Sequence, residues 1–364
     1  MKQSLFTLFV LSAVLLLTAV DCHRDDPVID PTEITFTYGG YFLSGGNPGE
    51  NNAEITQLNT MLGVVNQRAY AFFNDGKTLG DQGSDIHILG NKLYIALAGS
   101  RQIRVLDKFN CKDLGTITVP SETGSGNLTP CSLASFEDAL LVSFAEGYVA
   151  RIDTTSLRPS LMQQVGDAPL CIAVTNQKLY VANALDGNEP GHTLQMLNPV
   201  DLHVMKTVEV AANPASLAVD PASSDLYLIC AGSGPEHPAC LQHIDSDNET
   251  VTTLDEVSNP VMMAAGNNGS LLVYVNDGRD DLGGRFVVFN TENQKVEGEF
   301  IRDGSYVRNP CLVAVDTNAG NVYIAEHSDR AFGMVYIYTS FGQFITSFST
   351  NAPRPVDAVF VTGN

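Results

Sequence analysis

Short apolar segments with a strand-like pattern recur along the chain at a spacing of 43 to 49 residues. Each contains a Tyr flanked by Leu, Val or Ile, and the spacing counts the interval from Tyr94 to Tyr180 as two repeats. Residues of these types favour strands, and no sustained 3.6-residue apolar periodicity follows the N-terminus. A repeat of this length is typical of the blades of a β-propeller. The tyrosines are Tyr94, Tyr180, Tyr227, Tyr274 and Tyr323.

Five of the repeats open with a Pro, and the fourth residue after each such Pro is Ala. Neighbouring blades converge on the propeller axis, where only a small side chain fits, so we expect the segment after each Pro to be the innermost strand of a blade. An earlier unit without Pro begins near Gly83. The prolines are Pro130, Pro169, Pro214, Pro260 and Pro310, and the alanines are Ala134, Ala173, Ala218, Ala264 and Ala314.

The two ends of the chain are expected to build a seventh blade together. Residues 35–77 carry about three strands and residues 354–363 carry one, in which Ala358 stands four residues after Arg354. Pairing the two ends removes the last open sheet edges. The sequence therefore predicts an all-β fold, a seven-bladed β-propeller of four-stranded antiparallel blades whose last blade is composite. Second strands are predicted at residues 92–98, 139–144, 178–183, 225–230, 271–276 and 321–326.

The first 22 residues predict export from the cytoplasm. Lys2 gives a positive start, residues 5–20 are apolar, and this run is shorter than a comfortable membrane span. Residues 18–22 resemble a lipobox, which would make Cys22 the lipidated N-terminus, although Asp21 departs from the small residue usual before that Cys. Ordinary signal cleavage and an uncleaved anchor are the alternatives. We predict a signal peptide at residues 1–21, a lipidated Cys with an acidic tether at 22–34, and one propeller domain at 35–364.

The charge balance argues against nucleic acid as a partner. The chain has 20 Lys and Arg against 41 Asp and Glu, a net charge of −21, and binding to phosphates requires basic residues. An acidic surface serves solubility or attracts a cationic ligand. We expect contact with a membrane only through the lipid anchor.

Several phrases resemble one family, the YncE-like (YVTN) propeller lipoproteins of the Bacteroidota. They lie at residues 40–46, 74–81, 92–95 and 103–107, and residues 23–26 resemble the surface-export signal of such lipoproteins. Members of the BtuG kind capture corrinoids such as vitamin B12 and pass them to an outer-membrane TonB-dependent transporter. The resemblance implies the same fold, an outer-membrane, cell-surface location with a periplasmic one as the alternative, and a small-molecule ligand such as a corrinoid. Residues 44–46 read Ser-Gly-Gly where related chains show Asn-Glu-Gly, which puts a ligand-binding role of that acid in doubt.

The loops between second and third strands share one face of a propeller with the connections between blades. Those after Asn183, Cys230, Asn276 and Glu326 are longer than a turn requires, which favours a binding surface on this face over variable loops without a ligand. His87 replaces the repeat Ala, so its ring either reaches into the axial channel or hydrogen-bonds to the next blade. The candidate ligand-binding residues are His87, Arg101, Glu146, Asn183, Asp186, His192, His237, Asp277, Arg279, Glu326, His327 and Arg330.

Two cysteines invite more than one interpretation. Cys230 and Cys240 flank a strand-loop-strand hairpin, so a disulfide, free thiols and, with His237 between them, a metal site are the alternatives. Cys131, Cys171 and Cys311 follow repeat prolines and read as small buried residues.

The sequence contains no G-x-S-x-G, H-E-x-x-H or phosphate-binding Gly loop, and it has no Trp. The leading hypothesis is a non-enzymatic surface propeller that binds a ligand on its loop face. The alternatives are a scaffold that binds a protein or polymer and a calcium-dependent hydrolase or lactonase. No cofactor is predicted, although the Asp-rich loop at residues 276–283 offers carboxylates to Ca²⁺. The hydrolase would need inward-facing acids, and the innermost strands offer only Asp85 and Asp357.

Overall fold

The computed structural model describes residues 36–122, 124, 126–266, 268–278, 283–327 and 332–363. These residues form seven four-stranded antiparallel sheets arranged as the blades of a propeller, which confirms the predicted fold class. Residues 36–363 make one compact unit. The predicted signal peptide, Cys22, the tether, Arg279 and Arg330 lie outside the described residues. Within the described ranges, no helix is long and apolar enough to cross a bilayer.

Blades 1 to 6 each use four strands that are consecutive in the chain. Blade 1 contains β4 (Gly83–Leu89), β5 (Lys92–Leu97), β6 (Gln102–Asp107) and β7 (Asp113–Ile117). Blade 2 contains β8 (Pro130–Phe136), β9 (Ala139–Phe144), β10 (Tyr148–Asp153) and β11 (Arg158–Gln164). Blade 3 contains β12 (Asp167–Thr175), β13 (Lys178–Asp186), β14 (Glu189–Leu197) and β15 (Val204–Glu209).

The next three blades follow the same plan, with the first strand innermost. Blade 4 contains β16 (Pro214–Val219), β17 (Leu226–Cys230), β18 (Cys240–Asp245) and β19 (Thr250–Ser258). Blade 5 contains β20 (Pro260–Ala265), β21 (Ser270–Val275), β22 (Arg285–Asn290) and β23 (Lys295–Glu299). Blade 6 contains β24 (Pro310–Val315), β25 (Val322–Glu326), β26 (Met334–Tyr338) and β27 (Phe344–Ser349).

Blade 7 joins the two ends of the chain. Its strand order is β28 (Pro355–Gly363), β1 (Phe36–Ser44), β2 (Glu54–Asn59) and β3 (Val64–Asn66), so the last strand of the chain is innermost. β1 pairs with β28 along its whole length, from Phe36 opposite Gly363 to Ser44 opposite Pro355. The predicted composite blade is confirmed.

The register corrects the predicted alignment of this last strand. Pro355, not Arg354, takes the place of the repeat Pro, because Pro355 pairs opposite Ser44 as Pro310 pairs opposite Glu326. The slot of the repeat Ala therefore holds Val359 rather than Ala358.

The core lies between the blades. The tyrosines of the second strands, such as Tyr94, Tyr180, Tyr227 and Tyr323, are buried against the apolar strands of a neighbouring blade. Their burial explains the sequence repeat, since each blade must cover the apolar face of the next.

Two local features differ from the predicted all-strand pattern. A short helix, α1 (Ala69–Phe73), follows β3, and the buried carboxylate of Glu54 accepts the backbone N–H groups of Tyr70 (3.0 Å) and Ala71 (3.3 Å) at its start. The predicted loop after Asn183 is instead an extended β13–β14 hairpin that turns between Asp186 and Glu189. A side-chain cap from a distant strand and a hairpin extension leave little trace in local hydrophobic pattern.

Candidate functional site

The seven innermost strands surround the axial channel, and each has a bulge directly after the position that holds the repeat Pro in most blades. The register between the innermost and second strands shifts at that point in all seven blades. The bulged residues form what we call the apolar rim at the loop-face end of the channel. Two of its large members are exposed, Leu170 to 44% and Val261 to 49%. The rim consists of Ser84, Cys131, Leu170, Ala215, Val261, Cys311 and Val356.

In blades 7 and 1, the residue after the bulge connects one blade to the next. Asp357 of blade 7 accepts the backbone N–H of Ile86 of blade 1 at 3.1 Å, and Asp85 of blade 1 accepts that of Leu133 of blade 2 at 2.7 Å. The inner edge of an innermost strand has no further strand to pair with, so these carboxyls satisfy backbone donors that would otherwise lack a protein partner.

Asp85 and Asp357 also hydrogen-bond to each other. Loss of solvation raises the pKa of both, and the neighbouring Asp357 raises that of Asp85 further. Two adjacent carboxyls cannot both ionise cheaply, so the pair shares one proton between Asp85 and Asp357. We call these two residues the axial carboxyl pair.

His87 is directed to the neighbouring blade. Its Nε2 lies 3.0 Å from the Ser135 hydroxyl of blade 2, which is one of the two placements expected from the sequence. Burial lowers the pKa of His87 to about 4, so its ring is neutral at neutral pH.

A cleft between blades 3 and 4 brings two predicted residues together. His192 of β14 and His237 of the β17–β18 loop line the same cavity of about 360 Å³, with the carboxylates of Glu189 and Glu209. All four side chains are exposed. We call this cavity the histidine cleft.

The chain path fixes the walls of the histidine cleft. The Val210 N–H donates to the His192 carbonyl (2.9 Å), and the Ser233 N–H donates to the His237 carbonyl (2.8 Å). Gly232 has a φ of +73°, and a Cβ there would lie 2.3 Å from the His237 carbonyl oxygen, so this tight turn requires glycine.

A second cavity, of about 580 Å³, lies between blades 4 and 5 and is mostly apolar. We call it the apolar cleft. It contains the rim residues Ala215 and Val261 and the predicted residue Asp277, whose carboxylate is 2.8 Å from the Arg285 guanidinium. The sequence prediction missed its apolar members. The exposed apolar residues directly after repeat prolines could have revealed them.

The loop at residues 231–239 separates the two clefts. Ala231 and Ala239 line the apolar cleft, whereas Ser233 and His237 line the histidine cleft. One loop therefore presents an apolar wall on one side and a polar wall on the other.

Other predicted residues serve the scaffold. Arg101 donates to the Asn127 carbonyl (3.1 Å), and Glu146 accepts the Thr129 N–H and hydroxyl (both 2.8 Å), so both fasten the connection between blades 1 and 2. Asn183 was predicted on the ligand-binding face, but its side chain is buried inside blade 3 and donates to Thr193 Oγ1 at 3.1 Å.

The remaining predicted residues do not join either cleft. Asp186 is exposed at the hairpin tip of blade 3. Glu326 is the last residue of β25 and hydrogen-bonds to Tyr336. Burial, and after it the nearby Glu326, raises the pKa of Tyr336 to about 12. The His327 N–H donates to the Asn309 carbonyl (3.1 Å).

Cys230 and Cys240 are directly opposite each other on β17 and β18. Both are free thiols. The hydrogen bond from the Cys230 thiol lowers the pKa of Cys240 to about 7, while that bond and burial raise the pKa of Cys230. The register fits the predicted disulfide, which stays a prediction. Among the described residues, no three His, Cys, Asp or Glu side chains are grouped to hold a metal ion, and His237 belongs to no such cluster. Asp280 and Asp281 of the Asp-rich loop lie outside the described residues.

Burial keeps the other described cysteines protonated. It raises the pKa of Cys131 to about 11 and that of Cys111, Cys171 and Cys311 to about 12. Cys131, Cys171 and Cys311, which the sequence predicts to be small buried residues, are half-buried, and Cys111 is buried.

Comparison with known proteins supports the fold. No protein-family model matches the chain, and no curated protein matches it. Among solved structures, a "putative 6-phosphogluconolactonase" from Bacteroides uniformis matches 89% of this chain and all of its own, with 13% identity and a TM-score of 0.63. Hydrazine synthase from Kuenenia stuttgartiensis matches 75% of this chain and 86% of its own, with 15% identity and a TM-score of 0.58. At such identities the likeness establishes the seven-bladed propeller fold and leaves the function open, since propellers of one architecture serve different reactions and ligands.

Proposed function

We propose that this protein is a non-enzymatic binding propeller that captures an amphipathic small molecule on its loop face. The observation that carries the proposal is the loop at residues 231–239, which forms a wall of both the histidine cleft and the apolar cleft. A ligand that lies over this loop places apolar surface against Ala231 and Val261 and polar groups against His192 and His237. Cavities of a few hundred Å³ with a few polar groups suit ligands of drug size.

A corrinoid is the ligand that we propose to test first. Its ring presents broad apolar faces, amide side chains and a cobalt ion, and an imidazole such as that of His192 or His237 is a good ligand for such a metal. The histidine cleft, at about 360 Å³, holds only part of so large a molecule, so the corrinoid would also cover the apolar cleft.

Calorimetry with cobinamide and cobalamin tests this proposal. We expect binding at micromolar protein, with a change in visible absorbance if an imidazole coordinates the cobalt. The double variant His192→Ala/His237→Ala should bind at least tenfold more weakly. The matched control is His203→Ala, because His203 is exposed on the opposite end of blade 3 and bonds to Asp201. Absence of binding at micromolar protein would exclude a corrinoid, and equal binding by the double variant would exclude the histidine cleft.

We place the protein at the cell surface as an outer-membrane lipoprotein beside a TonB-dependent transporter, with the periplasm as the alternative. The support is the lipobox-like segment ending at Cys22. Labelling with a radioactive fatty acid should be lost in Cys22→Ser, and protease added to intact cells should cleave the surface form but spare a periplasmic one.

The second candidate is a hydrolase, favoured by the axial carboxyl pair. Asp357 would take a proton from a water molecule as the water oxygen attacks a lactone carbonyl. Asp85 would give the shared proton to the ring oxygen as the bond between that oxygen and the carbonyl carbon breaks. Against this, both carboxyls already accept backbone N–H groups from the next blade. Lactone hydrolysis that disappears in Asp85→Asn would establish the hydrolase, and no hydrolysis by the parent would dismiss it.

A further inference from the structure

Seven equivalent turns, between the third and fourth strands of each blade, lie on the face opposite the loop face. In each one, a side-chain oxygen of the first residue accepts a backbone N–H two or three residues later, as Asp107 accepts the Phe109 N–H at 2.9 Å. The turns are therefore the same structure built from different sequences. Their first residues are Asp107, Asp153, Asn198, Asp245, Asn290, Thr339 and Asn59.

The third position of these turns divides the blades into two groups. On the adjacent blades 6, 7 and 1 it holds large apolar side chains that are mostly exposed, Phe341 (79%), Met61 (65%) and Phe109 (59%). Leu62 beside Met61 is 73% exposed. On blades 2, 4 and 5 the same exposed position holds Thr155, Asp247 and Glu292, and blade 3 has Val200, which is 53% exposed.

The turn itself does not require apolar residues, because three blades build it with polar ones. An exposed turn position is normally polar, so large exposed apolar side chains on three neighbouring blades mark a contact surface. We call Phe109, Phe341, Met61 and Leu62 the apolar tips.

The start of β1 continues this surface. Phe36 and Tyr38 are 37% and 38% exposed with ring centroids 4.6 Å apart. The Thr60 N–H donates to the Tyr38 carbonyl (2.9 Å), which holds the start of β1 beside the turn of blade 7. Tyr38 and Phe109 then line one cavity of about 380 Å³ between blades 7 and 1.

The start of β1 is also where the chain toward the predicted lipid leaves the propeller. Between Cys22 and Phe36 there are 14 residue steps, so at about 3.3–3.6 Å per residue the tether reaches at most about 50 Å. The apolar tips lie on the same side of the propeller as Phe36, where β1 begins. A lipid on Cys22 would therefore hold this side within reach of the bilayer.

We propose that the apolar tips insert into the boundary between headgroups and acyl chains of a lipid bilayer, as a second membrane contact beside the predicted anchor at Cys22. Separate protruding side chains suit a fluid lipid boundary, which needs no matching shape, better than a rigid protein surface. A lipid on a long tether holds the protein near the bilayer without orienting it, so a second contact at the apolar tips would turn the loop face away from the bilayer. The net charge of −21 disfavours anionic lipid, so apolar burial must drive this contact.

Sedimentation with phosphatidylcholine vesicles tests the proposal. The protein is the chain from residue 22 with Cys22→Ser, so that no lipid is attached. The test variant, Met61→Ser/Phe109→Ser/Phe341→Ser, replaces three of the four apolar tips, those at the third position of their turns. The matched control changes the same position on other blades, Thr155→Ser/Asp247→Ser/Glu292→Ser. All six positions are exposed, and thermal melts of both variants verify folding.

We expect the parent and the control to bind vesicles within twofold of each other, with little effect of salt, and the test variant to lose at least tenfold in partition coefficient. No binding at millimolar lipid would overturn the proposal, as would equal binding by the test variant. Concentration-dependent dimers that disappear in the test variant, without vesicle binding, would overturn it in favour of contact between two copies. Ligand binding on the loop face is measured separately, so either proposal can fail alone.

Discussion

The axial carboxyl pair should make the propeller less stable as the pH rises. Asp85 and Asp357 have pKa values raised above those of the unfolded chain, chiefly by burial. Above the ordinary carboxyl pKa of about 4, the folded state therefore retains protons that the unfolded state has lost. The free energy of unfolding then falls with rising pH until the raised pKa is passed. Each unit by which a pKa is raised corresponds to about 1.4 kcal/mol.

The substitution Asp85→Asn isolates this effect. The amide keeps an acceptor for the Leu133 N–H and a donor for Asp357, but it cannot ionise. At pH 5 we expect the free energy of unfolding to remain within about 1 kcal/mol of the parent. Between the ordinary carboxyl pKa and the raised one, the free energy of unfolding of the variant should rise relative to that of the parent by up to about 1.4 kcal/mol per pH unit.

The substitution Asp85→Ala should behave differently. It leaves the Leu133 N–H and the Asp357 carboxyl without their partner, and each unsatisfied buried group costs about 1–3 kcal/mol. The expected loss is therefore about 2–6 kcal/mol. Asp255→Asn, on the exposed surface of β19, is the matched control and should change little.

Urea unfolding between pH 5 and 9 measures these effects. The chain has no Trp, so circular dichroism or the fluorescence of its 12 Tyr reports unfolding. Parallel curves of stability against pH for the parent and Asp85→Asn would refute the shared proton. A loss below about 1 kcal/mol in Asp85→Ala would refute the pair's role in joining the blades.

Three further outcomes follow from local geometry. Burial lowers the pKa of His87 to about 4, so the folded state binds fewer protons than the unfolded state, and the free energy of unfolding should fall as the pH drops from about 6.5 to 4. This fall should be smaller in His87→Gln. Acid titration followed by circular dichroism measures it, and an identical loss of stability in acid for parent and variant would contradict it. Gly232→Ala forces a Cβ to within 2.3 Å of the His237 carbonyl oxygen and should weaken ligand binding at least tenfold in calorimetry; unchanged affinity would mean that the ligand does not use this loop. Because the pKa of Cys240 is lowered to about 7, its reaction with iodoacetamide should speed up as the pH rises through 7 and should be faster than that of Cys230. Faster labelling of Cys230 would contradict the hydrogen bond between the two thiols. After mild oxidation, mass spectrometry should find the two cysteines joined by a disulfide.

The fold was largely predictable because each blade repeats the same physical requirement. A second strand must bury apolar side chains on both faces, so Tyr94 and Tyr180 recur with the period of the blade. The composite blade was predictable because an unpaired end strand would leave open edges. The phase of the last strand was not, since Arg354 and Pro355 both fit the repeat and only the register with Ser44 decides between them.

The candidate site was predictable only in part. Long loops indicated the loop face, and His192 and His237 do share a cleft. Sequence could not show which long segment is a hairpin extension, so Asn183 was expected on the ligand-binding face although its side chain is buried within blade 3. Apolar Val261 directly after Pro260 was a signal for the lining of the apolar cleft, but the cavity itself depends on how closely two blades approach each other, which the sequence does not give.

Closure of the ring by the last strand has a consequence for biogenesis. β1 begins at Phe36 and its innermost partner ends at Gly363, so the two strands that complete blade 7 are separated by nearly the entire chain. Contacts between such distant segments form slowly because a long loop must close first. The ring therefore cannot be completed until the final nine-residue strand is synthesised. A nonsense mutation in the last few codons would leave the innermost edge of β1 without its partner, and such an open edge is a site for aggregation.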